Sequence, residues 1–254
     1  MTRAMTAATT AMTTAMLLAF GVSAEAAEIR VLSSNALKSA LEEIAPQFEK
    51  ASGHKLVFVW GAAVPLRGQI EKGEVVFDAT ILNTPGIDAL IEQAKLDKAT
   101  RTPLARSSVG VAVRKGAPKP DISTTEAFKT ALRNAKSIAY VEQGATGIYL
   151  KELFVRLGIA DELKSKIKLA PTAAADFIAR GEAEIGMTQI SEILPFPGAD
   201  LVGPLPADIQ LYTSFAGANS AAAKQPDAGK AFLKFLVTPD TAKVMKAKGL
   251  EPAS

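Results

Sequence analysis

Strand-length apolar runs alternate with segments of helical period along most of the chain, and this rhythm admits few architectures. Residues 29–32 read as a strand, and 37–49 place apolar residues at 37, 41, 44, 45 and 48, the spacing of one helix face. A second strand is expected at 56–60 with a helix at about 65–71, and a third at 77–82 with a helix at about 85–94. Repeated β-α units of this kind predict an α/β fold built on mostly parallel sheets with helices on both faces. After a strand at 108–113, the turn-rich stretch 115–120 breaks the pattern, and a new series follows. It comprises a helix from 123 or 124 to about 134, a strand at 137–141, a helix opened by Gly144 that runs to about 157, a strand at 166–169, a helix at about 173–179 and a strand at 184–188. Prolines cluster at 195, 197, 204 and 206, and the chain closes with a strand around 209–215 and helices at about 227–236 and 240–246. The organisation that fits is two-lobed: residues 27–107 plus 206–254 form lobe 1, and 108–205 form lobe 2. Two chain crossings then leave a cleft between the lobes.

Composition narrows the chemistry. There is no cysteine among the 254 residues, so disulfides, thiolate catalysis, iron–sulfur clusters and cysteine-bound zinc are excluded. A single histidine, His54, rules out a multi-histidine metal centre, and its place in the turn 52–55 reads as surface. No cofactor or metal is implied. The net charge of +3 is scattered without a Lys/Arg block, which argues against a nucleic-acid partner. Residues 1–26 have the form of a signal peptide: Arg3, a short apolar stretch from Met16 to Val22, and Ala24 and Ala26 as a small-x-small cleavage site. That stretch is too short to span a bilayer, so no stable membrane insertion is expected. An exported chain without cysteine fits a periplasmic location, where a large core makes disulfides unnecessary.

Several strand-to-helix turns have residues suited to holding an anion. Ser33, Ser34 and Asn35 end the first strand, Gly61, Ala62 and Ala63 the second, and Asn83 and Thr84 the third. The stretch Gln143-Gly144-Ala145-Thr146-Gly147 opens the helix that carries Tyr149. Each turn exposes unpaired backbone N–H groups at the positive end of a helix dipole, and the small residues admit a ligand close to the backbone. Neither a P-loop nor a G-x-G-x-x-G turn follows a strand, which argues against nucleotides. Arg67, just beyond the second turn, is either a charge-assisted fork for a carboxylate or a solvated helix residue. Gln189, at the end of the strand 184–188, can aim an amide at the cleft, and Trp60 either lines the cleft or joins the core. Glu142, also at a strand end, is the acid–base candidate against the plainer reading of a hydrated loop carboxylate.

At these residues the chain resembles the periplasmic molybdate-binding protein family, solute-binding components of ABC importers with the two-lobed type II periplasmic-binding fold. The match is carried by Val31-Leu32-Ser33-Ser34-Asn35-Ala36-Leu37, by residues 65–74, by Thr146-Gly147-Ile148-Tyr149 and by residues 179–186, with a similar tail from 231 to 252. The resemblance implies a small anionic ligand, an ABC permease as partner and a monomer. It puts Ala36 and Ala63 where molybdate binders carry two serine hydroxyl donors, and Gln189 where they carry a tyrosine. Each missing partner removes hydrogen-bond energy from a compact oxyanion. A diverged member is therefore expected, with room for a larger anion such as an organic carboxylate. The alternative is an enzyme on the same scaffold, because periplasmic tricarboxylic acid isomerases of the aconitate isomerase type look similar to this family. Such chemistry needs a base and charge clamps, and Glu142, Tyr149 or a lysine would have to serve.

Overall fold

A computed structural model describes residues 26–253. All of the signal segment 1–26 except Ala26 therefore lies outside the described residues. The first unit runs β1 (Glu28–Ser34), a 3-10 turn (Asn35–Leu37), α1 (Lys38–Ser52), β2 (Lys55–Gly61), α2 (Ala63–Lys72), β3 (Ala79–Asn83) and α3 (Thr84–Glu92). The long strand β4 (Thr102–Arg114) leads into α4 (Thr125–Asn134), β5 (Ile138–Tyr140), α5 (Ala145–Arg156), α6 (Ala160–Leu163), β6 (Ile167–Leu169), α7 (Ala174–Ala179), β7 (Ile185–Gln189), α8 (Ile190–Ile193) and β8 (Ala199–Pro204). The chain returns through β9 (Tyr212–Asn219), α9 (Pro226–Phe235), α10 (Pro239–Ala247) and the short β10 (Glu251–Pro252).

The strands order as β2-β1-β3-β9-β4-β7-β5-β6, with β8 and β10 also on β4. The β-α units of each half pair in parallel: β1 with β2 and β3, and β5 with β6 and β7. At the centre the pairing turns antiparallel. The first half of β4, from Thr102 to Ser108, lies on β9, whereas Val109 to Val113 lies on β7. One strand thus serves two sheets. The expected strand began at 108, but β4 starts six residues earlier. Arg101 and Arg106 give that stretch a polar look, although Leu104 and Ala105 are buried in it. β9, by contrast, starts later than expected, because Ala207–Ile209 forms a 3-10 turn, and it continues to Asn219. The short elements α6, α8 and β8 were not anticipated, since four to six residues carry little periodicity.

Each half has its own core. In the first, Phe232 of α9 and Phe48 of α1 meet edge to face at 5.2 Å over β1 and β3. In the second, Phe128, Phe154 and Tyr140 pack with Val109 and Met187. The carboxyl ends of the parallel strands in both halves face the same space, where α/β sheets place their ligands.

Gly147, in the first turn of α5, sets how closely that helix meets the loop after β5. A Cβ there would stand 2.9 Å from the Glu142 carbonyl oxygen and closer still to that of Val141. Gly147→Ala is expected to displace the turn, cost about 1–3 kcal/mol by overpacking and lower the thermal midpoint.

Candidate functional site

A cavity lies at the carboxyl ends of β1, β2 and β3 on one side and of β5 and β7 on the other. Its volume open to the centres of water molecules is about 60 Å³, enough for several waters and so for a small polyatomic anion. From the first half, Ser34, Asn35 and Ala36 line it, together with Gly61, Ala62, Ala63 and Asn83. From the second come Val141, Gly144, Ala145 and Thr146, residues 172–175 at the start of α7, and Thr188, Gln189 and Glu192. Two open grooves adjoin it. One is bordered by Trp60, Pro65 and Glu142, the other by Lys38, Glu42 and Phe196.

The donors are mainly backbone. α2 begins after Ala62 and α5 after Gly144, N-cap residues with no side-chain oxygen to satisfy the first-turn N–H groups. Ser34 does cap: its Oγ accepts from the Ala36 N–H at 3.4 Å. Among the described residues, no Lys, Arg or His lines the cavity. An anion there would be met by helix-terminal amides rather than by formal positive charge. Micromolar affinity corresponds to about 8 kcal/mol. At about 1.5–3 kcal/mol for a hydrogen bond to a charged group, about three to six such bonds would supply it.

The structure brings together Ser34, Asn35, Ala63, Thr146 and Gln189, with their turn neighbours Gly61, Ala62, Asn83, Gly144 and Ala145, all singled out from sequence. Gln189 is 4% exposed, and its Nε2 donates to Thr146 Oγ1 at 2.9 Å and Thr213 Oγ1 at 3.1 Å, tying α5 and β9 to β7. Its Oε1 is buried without a partner. Ala36, named only as the site of a missing hydroxyl, is also at the wall.

Four other candidates lie outside the cavity. Ser33 is fully buried and donates to the Ser34 carbonyl at 3.3 Å, because strand alternation turns it away from its neighbour. Arg67 lies one turn into α2, where its Nε holds Glu71 at 2.7 Å and the guanidinium runs along the helix. Tyr149 lies on the side of α5 that packs against the turn before β9, and its hydroxyl donates to the Ile209 carbonyl at 2.6 Å. Glu142 borders the outer groove and is paired with Lys151.

The acidic side chain that does line the cavity is Glu192, which the sequence reading missed. It sits on α8, a four-residue helix hidden between the end of β7 and the proline cluster. The one available signal was a glutamate four residues after Thr188, close behind a strand end. The Thr188 hydroxyl donates to its Oε2. Burial pushes the Glu192 carboxyl above the ordinary glutamate range, opposed by the Thr188 hydroxyl and the Gln189 backbone N–H. No ion pair among the described residues includes it.

Residues 29–251 match the bacterial extracellular solute-binding protein family, and the chain belongs to that family. It is 36% identical to aconitate isomerase from Pseudomonas sp over 88% of this chain and 87% of that protein. It is 27% identical to the molybdate-binding protein ModA of Escherichia coli (strain K12), over 89% of this chain and 90% of the other. Among solved structures, the Azotobacter vinelandii periplasmic molybdate-binding protein superposes with a TM-score of 0.75 at 19% identity, covering 89% of this chain and all of that one. The fold is thus that of the two-lobed type II periplasmic binding proteins.

The raised carboxyl has a thermodynamic consequence. Its folded-state pKa exceeds the ordinary value of 4.5. Glu192 therefore contributes stability that is complete below the unfolded value and is lost as pH rises through the folded one. In ligand-free protein the thermal midpoint should fall across that window, and Glu192→Gln should flatten the fall. Calorimetry between about pH 4 and 8 reads the difference.

Proposed function

We propose that this chain is a periplasmic, monomeric solute-binding protein that closes two lobes on a small organic polycarboxylate and presents it to an ABC permease. The observation that carries this reading is the pair of uncapped helix N-termini, α2 and α5, meeting at one cavity from opposite halves of the fold. In this reading residues 1–26 direct export, and 27–107 plus 206–254 move against 108–205 by bending where β4 passes from one sheet to the other. Ser34, Asn35, Ala63 and Thr146 are the ligand contacts, and Gln189, whose amide hydrogens go to Thr146 and Thr213, holds Thr146 in place at the wall. Arg67 and Tyr149 support the helices that carry those contacts.

A carboxylate ligand is favoured over a compact oxyanion for two reasons. Ala36 and Ala63 bring methyl groups rather than hydroxyls to the wall. The adjoining grooves give a longer molecule space beyond the cavity. A second reading, turnover of such a ligand by isomerisation, is favoured by Glu192. An ionised carboxylate about 4 Å from a bound anion costs about 4 kcal/mol at an effective dielectric constant near 20, a poor choice in a site that only stores its ligand. The 36% identical relative is an aconitate isomerase.

A thermal-shift panel of molybdate, tungstate, sulfate, citrate and cis- and trans-aconitate tests the ligand class. A ligand at 100 times its dissociation constant adds about 2.7 kcal/mol. Shifts are expected with the carboxylates, and a shift with molybdate or tungstate alone would overturn the carboxylate assignment. The double variant Ala36→Ser with Ala63→Ser should gain oxyanion affinity, about tenfold or more for each hydroxyl that reaches the anion, as measured by titration calorimetry with molybdate.

A further inference from the structure

Glu192 has no role in holding an anion, yet its carboxyl is built into the cavity wall. Its surroundings supply hydrogen bonds but, among the described residues, no ion pair. The Thr188 hydroxyl donates to Oε2, and the Gln189 backbone N–H also faces the group. From α1, Lys38 and Glu42 border the groove that Glu192 shares, and Lys38 is paired with Glu42 at 3.8 Å. β7 supplies Thr188 and Gln189, neither of them charged. An ionised Glu192 beside a bound anion is therefore repelled by it, and the repulsion ends when the carboxylate takes up a proton. When the ligand has an acidic C–H bond, the nearest source of that proton is the ligand itself.

We propose that Glu192 is the catalytic acid–base residue of this site, acting on an unsaturated polycarboxylate in which a methylene group flanked by a carboxylate adjoins a carbon–carbon double bond. This rests on the isomerase reading above. The methylene C–H bond breaks and its proton passes to the Glu192 carboxylate. The electron pair left on carbon spreads over the three-carbon allylic unit and its attached carboxylate. Glu192 then returns a proton to the far carbon of that unit, where a new C–H bond forms as the double bond moves by one position. No electrons are gained or lost, and no co-reactant is needed. The first-turn N–H groups of α2 and α5 face the charge that develops on the substrate carboxylates. Burial gives Glu192 a higher proton affinity than a surface glutamate, the direction that a base for carbon acids requires.

The experiment is proton NMR of cis- and of trans-aconitate in D2O with the purified protein, alongside calorimetric binding of each isomer. Wild type should place deuterium at the vinyl and methylene carbons and interconvert the isomers. Glu192→Gln should lose exchange by about a hundredfold or more while binding is kept or tightened, because the repulsion of an ionised carboxylate is gone, and Glu192→Asp should recover part of the rate. A folded Glu192→Gln that exchanges at the wild-type rate overturns the assignment. So does a wild type that binds aconitate without exchange, or one that binds citrate but neither aconitate isomer, and both of those results leave the anion-holding reading standing. Failure to bind any anion in the panel overturns both.

Discussion

Strand β4 belongs to both sheets, and the geometry of the cavity depends on that sharing. Its first half is hydrogen-bonded to β9 and its second half to β7 and β8. The two β-α units are thereby held with the carboxyl ends of their parallel strands facing one another, so that α2 and α5 start from opposite walls of one space. Had the halves been joined only by loops, each helix terminus would face water, where solvent satisfies its N–H groups and screens its dipole. Gln189 adds a cross-tie at the back of the cavity, linking α5 and β9 through Thr146 and Thr213.

The electrostatics of the site divide into two parts that oppose each other. Helix-terminal amides from both halves favour negative charge without a cationic side chain. Glu192 disfavours it whenever the carboxyl is ionised. In a receptor that only stores its ligand, such opposition is a cost. In an enzyme it raises the energy of the bound ground state and makes the glutamate avid for a proton, two effects that lower the barrier to the same step.

The fold was more legible in the sequence than the site. The β-α rhythm located β1 to β3 and α1 to α3 within a few residues, because the strands read as apolar runs, even the edge strand β2 with Val57 and Val59 exposed, and amphipathic helices repeat at 3.6 residues. The same reasoning cut β4 short at its polar-looking first half and passed over α8 entirely. Residues placed by backbone turns, namely Ser34, Asn35, Ala63 and Thr146, do line the cavity, because strand ends and helix starts are visible in sequence. Those chosen for side-chain chemistry fared differently. Arg67 is held by Glu71, Tyr149 by the Ile209 carbonyl and Glu142 by Lys151. Each is a partnership between side-chain and neighbouring groups that the pattern of strands and helices does not reveal. Glu192 was missed for the converse reason, since its importance comes from enclosure on a helix too short to leave a periodic signal.

The N-caps of α2 and α5 are Ala62 and Gly144, residues without a functional group to lose. The attraction for negative charge therefore resides in main-chain geometry, which point substitutions leave largely intact. Wall positions such as Ala36, Ala63 and Gln189 are then free to drift among hydroxyl, methyl and amide without erasing anion recognition itself. On such a frame, changes at the wall alter what fits the cavity while the helix-terminal amides stay in place.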